Sequence, residues 1–100
     1  MVIDMNMITD VILKEKSRIE YMLKYYKRQM TVLPKGTISK SNQSASTYYY
    51  LKYRDGKKVV SKYLGKNADD ISKLIEKRKH TEAMIMSLEN ELKIAQKALE

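Results

Sequence analysis

Residues Thr47–Lys66 read TYYYLKYRDGKKVVSKYLGK, and they hold five of the eight tyrosines and six of the twenty lysines and arginines. Asp55-Gly56 lies between two runs rich in Tyr and Val. An Asp-Gly pair so flanked is a strong hairpin signal, because both central residues of a type I′ turn need positive φ. With Asp55 and Gly56 as the loop residues, Arg54 is expected to face Lys57, Lys52 Val59, Tyr50 Ser61, and Tyr48 Tyr63. One face then carries Tyr48, Tyr50, Lys52, Arg54, Lys57 and Tyr63. The other carries Tyr49, Leu51, Tyr53, Lys58, Val60, Lys62 and Leu64. A bulged turn at Gly56 is the alternative, and it would slip this register.

Upstream, Gly36–Lys40 is a candidate strand centred on Thr37-Ile38. Ser41–Ser46, SNQSAS, is polar and reads as a mobile loop. The expected sheet is a three-stranded antiparallel meander over residues 36–64, about the minimum for a stable sheet, and it needs a helix against one face.

A helix is expected on either side. Over residues 8–32, Ile8, Ile12, Ile19, Met22 or Leu23, Tyr26 and Met30 recur at spacings of three, four and seven. Asn6 and Thr9 are the candidate caps, and Pro34 ends the helix because it lacks a donor N–H and disfavours helix at Leu33. Residues 69–99 carry a heptad seam: Ile71, Arg78, Ile85, Leu92 and Leu99, with Leu74, Thr81, Leu88 and Ala95. Arg78 and Thr81 interrupt it. Asn67 or Asp69 is the expected cap. The fold class is therefore α+β: long helix, β-meander, long helix, in a single domain of residues 1–100. The two helices pair as an antiparallel, coiled-coil-like hairpin, with Tyr26 and Met30 near Ile71 and Leu74, and Ile8 and Ile12 near Ile85–Leu92. Each helix is roughly 35–45 Å long. So slender a hairpin leaves apolar surface for a homodimer or a partner's groove, with Ile71, Leu74, Ile85, Leu88 and Leu92 as the interface candidates.

The net charge is +8 and uneven. Residues 31–67 carry eight basic and one acidic side chain, or +7, against +2 for residues 1–30 and −1 for residues 68–100. Charge concentrated on the expected sheet points to a polyanionic partner. Cysteine is absent, which excludes disulfides and Cys-based metal sites and suits a reducing, cytoplasmic setting. The start, MVIDMNMITD, lacks the basic and apolar regions of a signal peptide, and no apolar run approaches membrane-spanning length.

No catalytic constellation, cofactor motif or metal spacing is present, so no enzyme is expected. The sole histidine, His80, sits in a Lys77-Arg78-Lys79 run on a helix and reads as a surface residue. The Tyr/Lys interleave is the functional signal. Rings stack on unpaired bases and cations hold phosphates, and a β-ribbon fits a DNA major groove. The nucleic-acid-binding candidates are Tyr48, Tyr50, Lys52, Arg54, Lys57, Lys58, Lys62, Lys66, Lys77 and Arg78. Tyr is also a good strand former, so some of these rings are expected in the core.

Leu33-Pro34-Lys35-Gly36-Thr37, followed by YYYLKYRDGKKVVSKYLGK, resembles a group of small, uncharacterised proteins of Gram-positive bacteria and their mobile elements. The resemblance implies helix, LPKG-type turn, Tyr-rich hairpin and charged helix, and it implies no activity. Thr47–Leu64 is also similar to the arm-type DNA-binding domains of phage integrases, whose sheet reads DNA. By size and basicity alone the chain is similar to phage anti-CRISPR proteins. Two functions follow as expectations: a nucleic-acid-binding module for DNA or RNA, or an inhibitor or adaptor of a nucleoprotein complex acting through its helices and basic sheet.

Overall fold

A computed structural model describes residues 5–43 and 45–100, and among them the element order is α1 (Met5–Met30), β1 (Thr37–Gln43), β2 (Ser46–Asp55), β3 (Lys58–Gly65) and α2 (Asp69–Ala98). The fold is α+β, with two helices and an antiparallel meander of order β1-β2-β3 between them. The chain divides into two compact units: Leu33–His80, and Met1–Val32 with Thr81–Glu100. α2 contributes residues to both.

In the helical unit, Ile19, Leu23 and Leu88 are buried together, with Met22, Tyr26, Met84, Ile85 and Leu92 packed around them. The helices run antiparallel: Lys27 pairs with Glu89 at 3.4 Å, while Val11 and Ile12 line a groove with Ile94, Ala95 and Ala98. The pairing register differs from the heptad expectation. Ile12 meets Ala95 and Ala98 rather than Ile85–Leu92, and Tyr26 joins Met84 in the Ile19 cluster. Asn6 and Thr9, the candidate caps, both lie inside α1. α1 stops at Met30; Thr31 and Val32 continue as a turn, with Thr31 N donating to Arg28 O at 3.3 Å and Val32 N to Gln29 O at 3.2 Å.

In the sheet unit, β2 is the central strand. Its odd residues Tyr49, Leu51 and Tyr53 face inward, and Leu51 is only 6% exposed. Ile38 and Tyr49 line one hollow with Ala68, Asp69 and Ser72, so the first turns of α2 lie beside that face. Asn67 caps α2: its Oδ1 accepts from Asp69 N at 2.9 Å, as the Asx side chain favours. Ile75 is buried here, whereas Leu74 is 40% exposed. The heptad frame put Leu74 inside because it assumed one partner for the whole helix. This part of α2 serves the sheet unit instead. Arg78, an interruption of the seam, is half-buried and donates Nη1–H to Leu33 O at 2.7 Å.

The polar stretch SNQSAS is not a long loop. β1 continues to Gln43 and β2 begins at Ser46, with Asn42 opposite Thr47 and Gln43 opposite Ser46. Thr47 Oγ1 lies 3.0 Å from Asn42 Oδ1 and donates to it, so these polar side chains satisfy one another across the hairpin. Nothing needs burying there, because the pairing is carried by the backbone.

Candidate nucleic-acid interface

The β2–β3 turn is one residue further on than Asp55-Gly56. Asp55 pairs with Lys58, and Gly56 and Lys57 are the loop residues, Gly56 with φ of 62°. Arg54 therefore faces Val59 rather than Lys57, Lys52 faces Ser61, and Tyr50 faces Tyr63. Every partner has moved by two residues, an even step, so the faces of the strands are preserved. Asp55 is thus the last strand residue, and the left-handed conformation at the first loop position falls on Gly56, which adopts it without a Cβ penalty.

The face opposite Leu51 carries Tyr48, Tyr50, Lys52 and Arg54 from β2, and Val59, Ser61 and Tyr63 from β3. β1 adds Thr37, Ser39 and Ser41, opposite Lys52, Tyr50 and Tyr48. Thr37 and Ser39 fall on the expected strand, but Ser41 lay outside it because SNQSAS reads as loop. The Thr-Ser-Ser alternation at positions 37, 39 and 41 is the signal that would have found it.

Three rings cluster on this face. Tyr63 lies 5.5 Å from Tyr50 and 6.2 Å from Tyr48, centroid to centroid, both tilted. The Tyr50 contact is direct across the ladder; the Tyr48 contact follows from a bulge. Tyr49 pairs with Gly65 while Tyr50 pairs with Tyr63, so Leu64 is the extra residue on β3. The bulge brings Gly65 to φ of 98°, and the chain turns so that Lys66 Nζ stands 6.0 Å from the Tyr48 ring centroid. That distance is the outer limit of a cation–π contact. Tyr48 and Tyr50 are half-buried by their neighbours, but Tyr63 is 56% exposed and presents a ring to solvent.

The cations around this cluster are uncompensated. Among the described residues, Lys52, Arg54, Lys57, Lys58, Lys62 and Lys66 form no ion pair. Lys52 and Arg54 share the Tyr face, Lys57 is in the turn, and Lys58 and Lys62 point to the other face from the exposed edge strand β3. The sheet unit holds twelve basic and four acidic residues, a net +8, whereas the helical unit holds eight of each. All of the chain's net charge thus resides in one unit.

The remaining candidates are placed differently. Lys77 is exposed on α2, and Arg78 is engaged by the Leu33 carbonyl. Ile85, Leu88 and Leu92 are occupied by α1, and Ile71 is half-buried in the sheet unit. Among the described residues no group of three or more His, Asp or Glu side chains is arranged to hold a metal ion. Among them, too, no helix is long and apolar enough to cross a membrane.

The sequence profile of one protein family, described as "Domain of unknown function (DUF6788)", matches residues 12–73, more than half of the chain. The match takes in most of α1, the whole sheet and the first turn of α2. No curated protein and no solved structure matches the chain.

Proposed function

Because the chain belongs to the DUF6788 family, a domain of unknown function with no activity to carry over, we propose its function from the sheet itself: a non-enzymatic nucleic-acid-binding module. The observation that supports this reading is the exposed Tyr63 ring, backed by Tyr48 and Tyr50 and surrounded by unpaired cations. Lys52, Arg54, Lys57 and Lys66 hold phosphates, and Lys58 and Lys62 extend the positive field around the sheet edge. Tyr63 stacks on a base, and Tyr50 and Tyr48 keep its ring in place. Aromatic side chains on an open sheet face suit splayed, unpaired bases better than stacked duplex.

The test is a fluorescence-anisotropy titration with single-stranded RNA, single-stranded DNA and duplex DNA at several salt concentrations. Binding that weakens steeply with salt is expected, with the slope reporting the number of phosphates neutralised. Lys52→Glu with Arg54→Glu should abolish it. Flat curves at low salt for all three ligands, or a double variant that binds as the parent does, would refute the reading.

A second reading, an adaptor or inhibitor of a nucleoprotein complex, draws on the largely apolar groove of the electrically neutral helical unit, where Val11 and Ile94 are exposed. It expects a protein cross-link in host extract that is lost on Val11→Asp with Ile94→Asp and kept on Lys52→Glu with Arg54→Glu. The opposite pattern rejects it.

A further inference from the structure

α1 has a second face that its packing does not explain. Ile12, Ile19, Leu23 and Tyr26 turn toward α2. At 100° per residue, Tyr21, Lys24, Tyr25 and Arg28 fall on the opposite side of the helix. These four line one shallow cleft of about 70 Å³. Tyr21 is 75% and Tyr25 53% exposed. Outward positions of an amphipathic helix are ordinarily polar, so two adjacent aromatic rings there call for a reason. The Tyr25 ring is held edge-on by Tyr26, with centroids 5.3 Å apart and planes at 76°. Tyr26 itself packs against the core, so Tyr25 is braced from behind.

The cations of the helix divide in an informative way. Lys16 pairs with Glu20, Arg18 with Glu15 and Lys27 with Glu89. Among the described residues Lys14, Lys24 and Arg28 form no ion pair, and the last two lie beside the exposed tyrosines. Arg28 also suits the C-terminal end of the helix dipole, but the dipole gives no account of Tyr21 and Tyr25. The unit as a whole is electrically neutral, so its unpaired cations are local and not part of a general excess. Rings alternating with unpaired cations are the two groups that a flexible strand of bases and phosphates needs.

We infer that Tyr21, Lys24, Tyr25 and Arg28 form a second contact for single-stranded nucleic acid, bases stacking on the two tyrosines and phosphates held by Lys24 and Arg28. The inference takes its ligand class from the reading of the sheet, but it concerns different residues in a different unit. Two surfaces on one chain convert the second contact into an intramolecular event, which raises avidity without any new bond at the sheet.

The test uses photo-cross-linking of the full chain to single strands carrying 4-thiouridine or 5-iododeoxyuridine, with the adducts mapped by mass spectrometry. Adducts at Tyr21 or Tyr25 are expected in addition to those on the sheet. The RNA and DNA arms show which strand the helix takes. Tyr21→Ala with Tyr25→Ala should weaken binding of a long strand at least about fivefold while the fold is kept, with a small fall in melting temperature from the lost Tyr25–Tyr26 contact. Adducts confined to the sheet, together with unchanged affinity of the double variant, would overturn the inference and leave the sheet reading standing. Absence of binding by either strand would overturn both.

Discussion

Tyr50 and Tyr63 are cross-strand partners whose rings lie 5.5 Å apart, and only Tyr63 is open to solvent. One ring therefore braces the other. Such a pair contributes about 0.5–1.5 kcal/mol beyond its buried area. Tyr63→Ala should weaken single-strand binding by about 1–3 kcal/mol if the ring stacks on a base, and Tyr63→Phe should retain most of it. Tyr50→Ala should show a smaller loss, through the freed motion of Tyr63. Anisotropy titrations of the three variants check this.

Counting phosphates gives a sharper test of the cations. Each of Lys52→Gln and Arg54→Gln should reduce the magnitude of the log K against log [salt] slope for single strands by about 0.7. Lys73→Gln, on α2 and away from the tyrosine face, should leave the slope as it was.

Arg78 is expected to behave as a structural residue. Its guanidinium donates to Leu33 O at 2.7 Å, where Pro34 has ended the helical run and left that carbonyl to be satisfied by a side chain. Arg78→Ala should destabilise the fold by about 1–3 kcal/mol while the salt slope of binding stays constant. Denaturant unfolding and anisotropy on the same variant separate the two effects.

Gly36 and Gly56 should respond differently to a methyl group. At Gly36, φ is 130° and an added Cβ would meet Lys52 O at 2.5 Å and Tyr53 Cβ at 3.1 Å, so β1 and β2 would have to part. Gly36→Ala is expected to cost about 2 kcal/mol or more. At Gly56 the space is open, and only the left-handed backbone at φ of 62° resists. Gly56→Ala should cost about 1 kcal/mol. Thermal melts of the two variants decide it.

Glu15 supplies the one pH-dependent expectation. The hydrogen bond from Arg18, aided by its charge, holds the Glu15 carboxyl below the usual range, and the reciprocal interaction raises Arg18. A depressed carboxyl contributes stability above its unfolded pKa and loses it as pH falls through the folded value. Both groups are solvent-exposed, so the contribution is small. A carbon-detected NMR titration should find Glu15 moving upward in Arg18→Gln.

Much of the fold was legible because its determinants are local. Pro34 stops α1, Asn67 starts α2, and the period-two alternation of Tyr48–Arg54 sets which rings share a face. The turn lay beyond that reading, since Asp55-Gly56 and Gly56-Lys57 give the same face assignment and only the pairing of Asp55 with Lys58 separates them. The polar hairpin at Asn42–Thr47 was hidden because its stability comes from backbone pairing, which leaves no hydrophobic trace. Leu74 and Ile75 exchanged roles because a heptad frame supposes one partner along the whole helix. Tyr48 and Tyr63 were expected as direct partners; they meet instead across the bulge at Leu64, which no residue type announces, while Tyr50 takes the direct pairing.

The lopsided charge of the sheet unit has an effect on the protein even without a ligand. A net charge of +8 on the small sheet unit is self-repelling, and dissolved salt relieves that repulsion over a Debye length of about 10 Å at 0.1 M. Raising ionic strength should therefore make the sheet harder to unfold, and the neutral helical unit should hardly notice. The same ions compete with any polyanion for the same lysines. Salt firms this domain and disarms it at once, so conditions that favour a well-behaved sample are those in which its binding is hardest to see.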